Sequence, residues 1–94
     1  MYYVYVLFSK KDRCLYTGST PNLKTRIIKH KKGFVKATKN RLPIELVYYE
    51  SYALSSDAKS REIFLKGGKG KAELKVQLKG ILIKLGYRYL DAAV

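Results

Sequence analysis

Residues 2–18 read YYVYVLFSKKDRCLYTG, two apolar runs parted by a polar one. Tyr2 to Phe8 is built almost wholly from β-branched and aromatic residues, the composition of a mostly buried strand. Side chains alternate along a strand, so Tyr3, Tyr5 and Leu7 face one way while Tyr2, Val4, Val6 and Phe8 face the other. The polar run 9–13 reads as a turn. Cys14-Leu15-Tyr16-Thr17 then forms a second strand ending at Gly18, which makes the opening a β-hairpin.

Downstream, Thr20 or Asn22 is suited to cap a helix with Pro21 in its first turn. That helix runs to about Lys32 and stops before Gly33. Leu23 and Ile27 lie one turn apart on its inner face with Ile28 beside them, and Arg26 and His30 form a neighbouring stripe. A basic loop, 33–43, ends at Pro43, and IELVYYESY (44–52) gives a third strand. Ser55-Ser56-Asp57 leads into a helix over 57–66 that Gly67-Gly68 breaks. Leu74, Leu78, Ile81, Leu82 and Leu85 carry the helical period through a third helix, 71–85, closed by Gly86. The tail 87–94 is weakly specified. The order β-β-α-β-α-α favours an antiparallel or mixed sheet packed against helices, an α+β fold. Ninety-four residues without repeat or linker are expected to form a single domain.

Charge narrows the function classes. Twenty Lys and Arg stand against seven Asp and Glu, a net charge of +13. Such self-repulsion costs stability and points to a polyanionic partner. The bases cluster: KHKKGFVKATKNR (29–41) holds six Lys or Arg and no acid. No amphipathic helix with bulky apolar insertion residues accompanies this run, so nucleic acid is preferred over a membrane surface. The apolar run 2–8 is far short of the ~20 residues that span a bilayer. Cys14 is the one cysteine, which suits a reducing cytosol, and a cytoplasmic location is expected.

Several chemistries are excluded by residue content. One His and one Cys do not supply a four-ligand structural zinc site. No GxxxxGK[ST] phosphate loop and no G-x-S-x-G elbow occurs, and Gly67-Gly68-Lys69-Gly70 follows a helix rather than a strand. Glu62 is the acid that stands out. It shares a helical stripe with Ala58 and Leu65, where a carboxylate is costly unless it meets a cation or a metal. A salt bridge to Arg61, Lys66 or a more distant base would serve equally. The nine tyrosines fill a small core or stack on bases, and for any single one that is the better reading.

Taken together, Tyr3-Val4-Tyr5, ten intervening residues, Tyr16-Thr17-Gly18, then Asn22-Leu23-Lys24-Thr25-Arg26 and His30 resemble the GIY-YIG nuclease domain. The chain is most similar to short stand-alone members, which are grouped with the nuclease half of the bacterial excision-repair endonuclease. Arg61-Glu62-Ile63-Phe64-Leu65-Lys66-Gly67 matches that family's late acidic helix, so the resemblance spans residues 2 to about 75. It implies a three-stranded antiparallel sheet flanked by helices, and a metal-dependent endonuclease acting on DNA. By position, Glu62 would hold one Mg²⁺ or Mn²⁺, and Tyr16, as phenolate or through a water, would help activate the attacking water. Tyr5 would position that water or the phosphate, Arg26 would stabilise the pentavalent phosphate, and His30 would orient a tyrosine or take a proton. Gly18 is a structural member of the motif.

Those roles make chemical sense. One metal and an arginine fork meet the two demands of making a nucleophile and neutralising a phosphorane. A tyrosine with an ordinary pKa near 10 needs cations beside it to act as a base. His30 is the side chain here that would titrate near neutrality unaided. Lys24, Lys29, Lys31, Lys32, Lys36, Lys39, Arg41 and Lys66 are the candidate contacts to the nucleic-acid backbone. Tyr3 stands where the family has glycine, Thr17 where it has isoleucine, and no asparagine follows Glu62. Two rivals use the same residues differently. One is a non-catalytic nucleic-acid-binding module, and the other is an assembly protein whose Tyr-rich strands form a dimer edge.

Overall fold

The computed structural model describes residues 1–88; the last part of the weakly specified tail, 89–94, lies outside the described residues. Strand β1 (Tyr2–Ser9) pairs antiparallel with β2 (Leu15–Thr20) on one side and with β3 (Ile44–Tyr52) on the other, in the order β2-β1-β3. This is the three-stranded antiparallel sheet the resemblance implied. β2 runs past Gly18 to Thr20 rather than ending there. Gly18 is held in register opposite Tyr5, and pairing with β1 keeps it extended where a lone glycine reads as a stop.

Both faces of β1 are covered, and every residue from Val4 to Phe8 is at most 1% exposed. On one face Tyr5 and Leu7 join Ile44, with Leu23 and Ile27 of helix α1 (Leu23–Lys31) packed over them. On the other, Val4 and Val6 meet Ala58 and Leu65 of α2 (Ser55–Lys66) and Leu74 of α3 (Gly68–Gln77). Burying such apolar side chains is worth roughly 1.5–3 kcal/mol each, so the central strand ties both helical layers together.

The helix ends differ in detail from expectation. Asn22 caps α1 by accepting from the Thr25 amide at 3.2 Å, and Pro21 precedes the cap instead of entering the first turn. The expected loop 33–43 contains a short 3₁₀ turn, Lys39–Arg41, and is anchored by buried Val35 and Thr38. α2 begins at Ser55, two residues early, because the serines are helical rather than an entry segment. Gly67-Gly68 breaks the helix as expected, yet α3 starts at once at Gly68. The reason is Gly70. A Cβ there would stand 2.0 Å from the Phe64 carbonyl oxygen, so the glycine permits a tight turn between α2 and α3.

The long third helix over 71–85 is in fact two, α3 and α4 (Lys79–Leu85), meeting at Leu78. Helical hydrogen bonds straddle the junction, from Leu78 N–H to Leu74 O at 2.8 Å and from Leu82 N–H to Leu78 O at 3.0 Å. The apolar period therefore passes through a bend that periodicity does not register. Among the described residues no helix is long and apolar enough to cross a membrane.

Candidate active site

Edge strand β2 is the seam of the site. α1 on one face of the sheet supplies Arg26 and His30, α2 on the other face supplies Glu62, and the strands supply Tyr5, Tyr16, Gly18 and Ser19.

Three rings form the first half. Tyr5 and Tyr16 lie 5.5 and 5.4 Å from the His30 ring, and 6.5 Å from each other, centroid to centroid. The Tyr5 hydroxyl and His30 Nε2 share a hydrogen bond of 2.8 Å, and His30 Nδ1 shares one of 2.7 Å with Thr38 Oγ1. A neutral imidazole has one N–H, so the two hydroxyls take opposite roles toward the ring. His30 is fully buried, and burial followed by the nearby Arg26 charge holds its pKa down to about 4. This corrects the expectation that His30 titrates near neutrality. It is an uncharged hydrogen-bonding hinge between Tyr5 and the 33–43 loop. Burial raises the Tyr5 pKa, with the Arg26 guanidinium opposing and the Tyr16 and Glu62 charges adding to it. Tyr5 is therefore a neutral phenol at neutral pH, whereas Tyr16 is only half-buried.

Glu62 forms the second half. It is 8% exposed, on the Ala58 and Leu65 stripe as the spacing indicated. Ser19 Oγ–H donates to its Oε1 at 2.6 Å, Lys66 Nζ lies 2.8 Å from Oε2, and Lys59 Nζ lies 3.4 Å from Oε1. Burial disfavours the charge, but Lys66, Ser19 and Lys59 outweigh it, so its pKa falls and the carboxylate is ionised. Arg61, the other expected partner, points elsewhere. Its Nε and Nη2 each donate to Glu50 of β3 at 3.0 Å, and the Tyr48 and Tyr52 hydroxyls donate to the same carboxylate. Consecutive helical residues point about 100° apart, so this clamp on β3 turns Glu62 toward β2.

The basic residues divide. Lys24, Lys29, Lys31, Lys32, Lys36 and Lys39 are exposed on α1 and the following loop, free to meet a polyanion. Arg41 is only partly exposed and already paired. Its Nε donates to Asp12 Oδ2 at 2.5 Å and its Nη2 to the Leu15 carbonyl at 3.4 Å, tying the loop to the hairpin turn. Lys66 is spent on Glu62, although with Tyr16 and Lys71 it also lines a cleft of about 400 Å³ along β2. A larger groove of about 680 Å³ lies on the other flank of α1 and contains none of Tyr16, Arg26, His30 or Glu62.

Four residues escaped sequence reading. Lys59 was open to discovery as the base three positions before Glu62, and Ser19 as the polar neighbour of Gly18. Thr38 and Lys71 carry no sequence signal of their own. Among the described residues no group of three or more His, Cys, Asp or Glu gathers to bind a metal. A single ionised carboxylate does fit Mg²⁺ or Mn²⁺, since such ions keep several waters and use one or two carboxylates plus substrate phosphate.

Comparison with known proteins identifies the family. Residues 1–75 match the model of the GIY-YIG catalytic domain. A UPF0213 protein of Pediococcus acidilactici is 42% identical over 78 residues, covering 79% of this chain and 78% of its own. One from Clostridium perfringens is 46% identical over 67 residues, 70% and 71% of the two chains, and one from Staphylococcus saprophyticus is 39% identical over 80 residues, 84% and 96%. Those names state no activity, and no solved structure gives a significant match. With a family model matched over most of its length, the chain belongs to the GIY-YIG family, whose domain is typically a nuclease domain acting on nucleic acid.

Proposed function

We propose that this protein is a metal-dependent endonuclease that hydrolyses phosphodiester bonds of DNA, with structure selectivity or low sequence specificity. The observation that carries the reading is Glu62: a buried, ionised carboxylate opposite an arginine and two tyrosines, in a chain of charge +13. Its ion pairs with Lys66 and Lys59 serve stability in either reading, but an acid at that position adds no affinity for phosphate, which weighs against the non-catalytic module.

The roles follow from exposure and protonation. Arg26, on the Tyr5 side of β2, meets the phosphate and stabilises the added negative charge as a fifth oxygen joins phosphorus, a role supported by its closeness to Tyr5. Tyr16 helps activate the attacking water, taking its proton directly once its own phenol proton has left to solvent, or otherwise orienting a water that does so, while the leaving oxygen is protonated from solvent. Tyr5, neutral and bonded to His30, fixes the position of Tyr16 and of Arg26 rather than exchanging protons. His30 holds Tyr5. Glu62 is the residue that would hold Mg²⁺ or Mn²⁺, and the ion when bound supplies Lewis acidity and a lowered water pKa. The exposed lysines of 24–39 hold the DNA backbone, which gives register without sequence readout.

The test is cleavage of labelled single-stranded, duplex, flap and branched DNA with Mg²⁺, Mn²⁺ or EDTA, for wild type and Glu62→Gln. Metal-dependent cutting that Glu62→Gln abolishes while DNA binding persists is the expected result. Tight, salt-sensitive binding without cutting in any metal would replace it with the binding module.

A further inference from the structure

The larger groove is bounded by α1 and the β1–β3 half of the sheet, on the opposite side of the Leu23–Ile27 stripe from Arg26 and His30. Leu46, Ile27 and Ile28 give it an apolar floor, and Tyr3 and Tyr49 stand at one end, edge to face with centroids 6.2 Å apart. Lys24 and Lys31 form the rim, and among the described residues no acid lines it. Tyr49 is 53% exposed, too open to be a core ring. It also lies in register with Tyr5, so the groove begins one strand away from the candidate site.

Resting on the reading that DNA is the substrate, we propose that this groove receives an unpaired nucleobase, stacked on Tyr49, with Lys24 and Lys31 holding the flanking phosphates. Duplex DNA keeps its bases stacked inside and offers phosphates and groove edges, none of which calls for an apolar concavity. An unpaired nucleotide offers a flat π face beside an anion, and an aromatic ring sharing a groove with two cations matches both. At about 680 Å³ the groove falls within the range of small-molecule sites, ample for one nucleotide. Substrates of this protein would then carry a single-stranded segment next to the scissile phosphate.

Binding without cutting tests this. Fluorescence anisotropy in EDTA compares a labelled duplex with the same duplex bearing a single-stranded flap, for wild type, Tyr49→Ala and Tyr49→Phe. Base stacking is worth about 1–3 kcal/mol, so Tyr49→Ala should weaken flap binding roughly 5- to 150-fold, leaving duplex binding unchanged and Tyr49→Phe near wild type. A 2-aminopurine in the flap should be quenched by wild type and Tyr49→Phe but not by Tyr49→Ala. Equal losses on both DNAs, or no loss on either, would overturn the proposal. So would a wild-type dimer in sedimentation that Tyr49→Ala dissociates, since a second copy would then fill the groove. Flap preference lost in Tyr49→Ala, in a protein that never cuts, keeps the groove and removes the nuclease. Cutting with a flap preference indifferent to Tyr49→Ala does the reverse.

Discussion

A Cβ on Gly18 would stand 2.6 Å from the Tyr5 hydroxyl and 2.7 Å from the ring carbon bearing it, so Tyr5 fills the space that Gly18 leaves empty. The phenol has no room to withdraw, because it is 1% exposed and bonded to His30. Gly18→Ala should therefore cost roughly 1–3 kcal/mol through overpacking, seen as a lower denaturant midpoint. Cleavage should fall further than stability does, because the Tyr5–His30 bond is displaced. A variant as stable and active as wild type would show that the two residues are not coupled.

His30 should govern stability in mild acid. Its folded pKa of about 4 lies below the ordinary 6.5, so below pH 6.5 the unfolded chain takes a proton that the native state refuses. Stability is complete above pH 6.5, falls as pH drops toward about 4, and levels off for this group, a loss of roughly 3 kcal/mol. Asp12, Glu50 and Glu62 are held below their usual range and add their losses only at lower pH, from about 4.5 downward. The chain has one histidine, so urea melts of wild type and His30→Gln between pH 7 and 5 isolate its contribution. The same slope in both would refute the assignment.

Lys66 should compete with a divalent ion for Glu62. Its ammonium lies 2.8 Å from the carboxylate but its side chain is 52% exposed, so the pairing is worth only about 1 kcal/mol. Lys66→Ala is expected to raise Mn²⁺ affinity about fivefold in calorimetric or electron paramagnetic resonance titrations. Glu62→Gln should remove that binding. Unchanged affinity in both would detach the metal from this carboxylate.

Lys36 and Arg41 lie in the same basic segment but should behave differently. Exposed Lys36→Ala should reduce the slope of log K against log salt for DNA binding by about 0.9. Arg41→Ala should leave the slope alone and lower stability by up to about 1 kcal/mol, since its charge is already paired with Asp12. A salt slope that Arg41→Ala also reduces would return it to the DNA surface.

How far the sequence reaches depends on the range of the forces involved. The hairpin, the third strand and the amphipathic stripes were legible because alternation and helical period are local, and Glu62 stood out as a carboxylate on an apolar stripe. The bend at Leu78 was not, because helical bonding and apolar spacing both persist across it. Nor was the division of labour among the bases. Arg41 meets Asp12 and His30 meets Thr38 only once the 33–43 loop folds back, and nothing in the loop's composition reports which side chain turns inward. His30 shows the same limit chemically: its position was readable, but its protonation follows from a burial that no motif encodes.

Among the described residues the strand order β2-β1-β3 leaves two sheet edges without a pairing strand, one of them the nine-residue β3. Unpaired backbone groups along such an edge invite a second copy to dock. Mutual repulsion between copies each carrying +13 opposes that encounter at long range. The lysine excess thus also acts as a colloidal safeguard. Variants stripped of several lysines to map DNA contacts should precipitate at concentrations the parent tolerates, above all in high salt, where the remaining repulsion is screened.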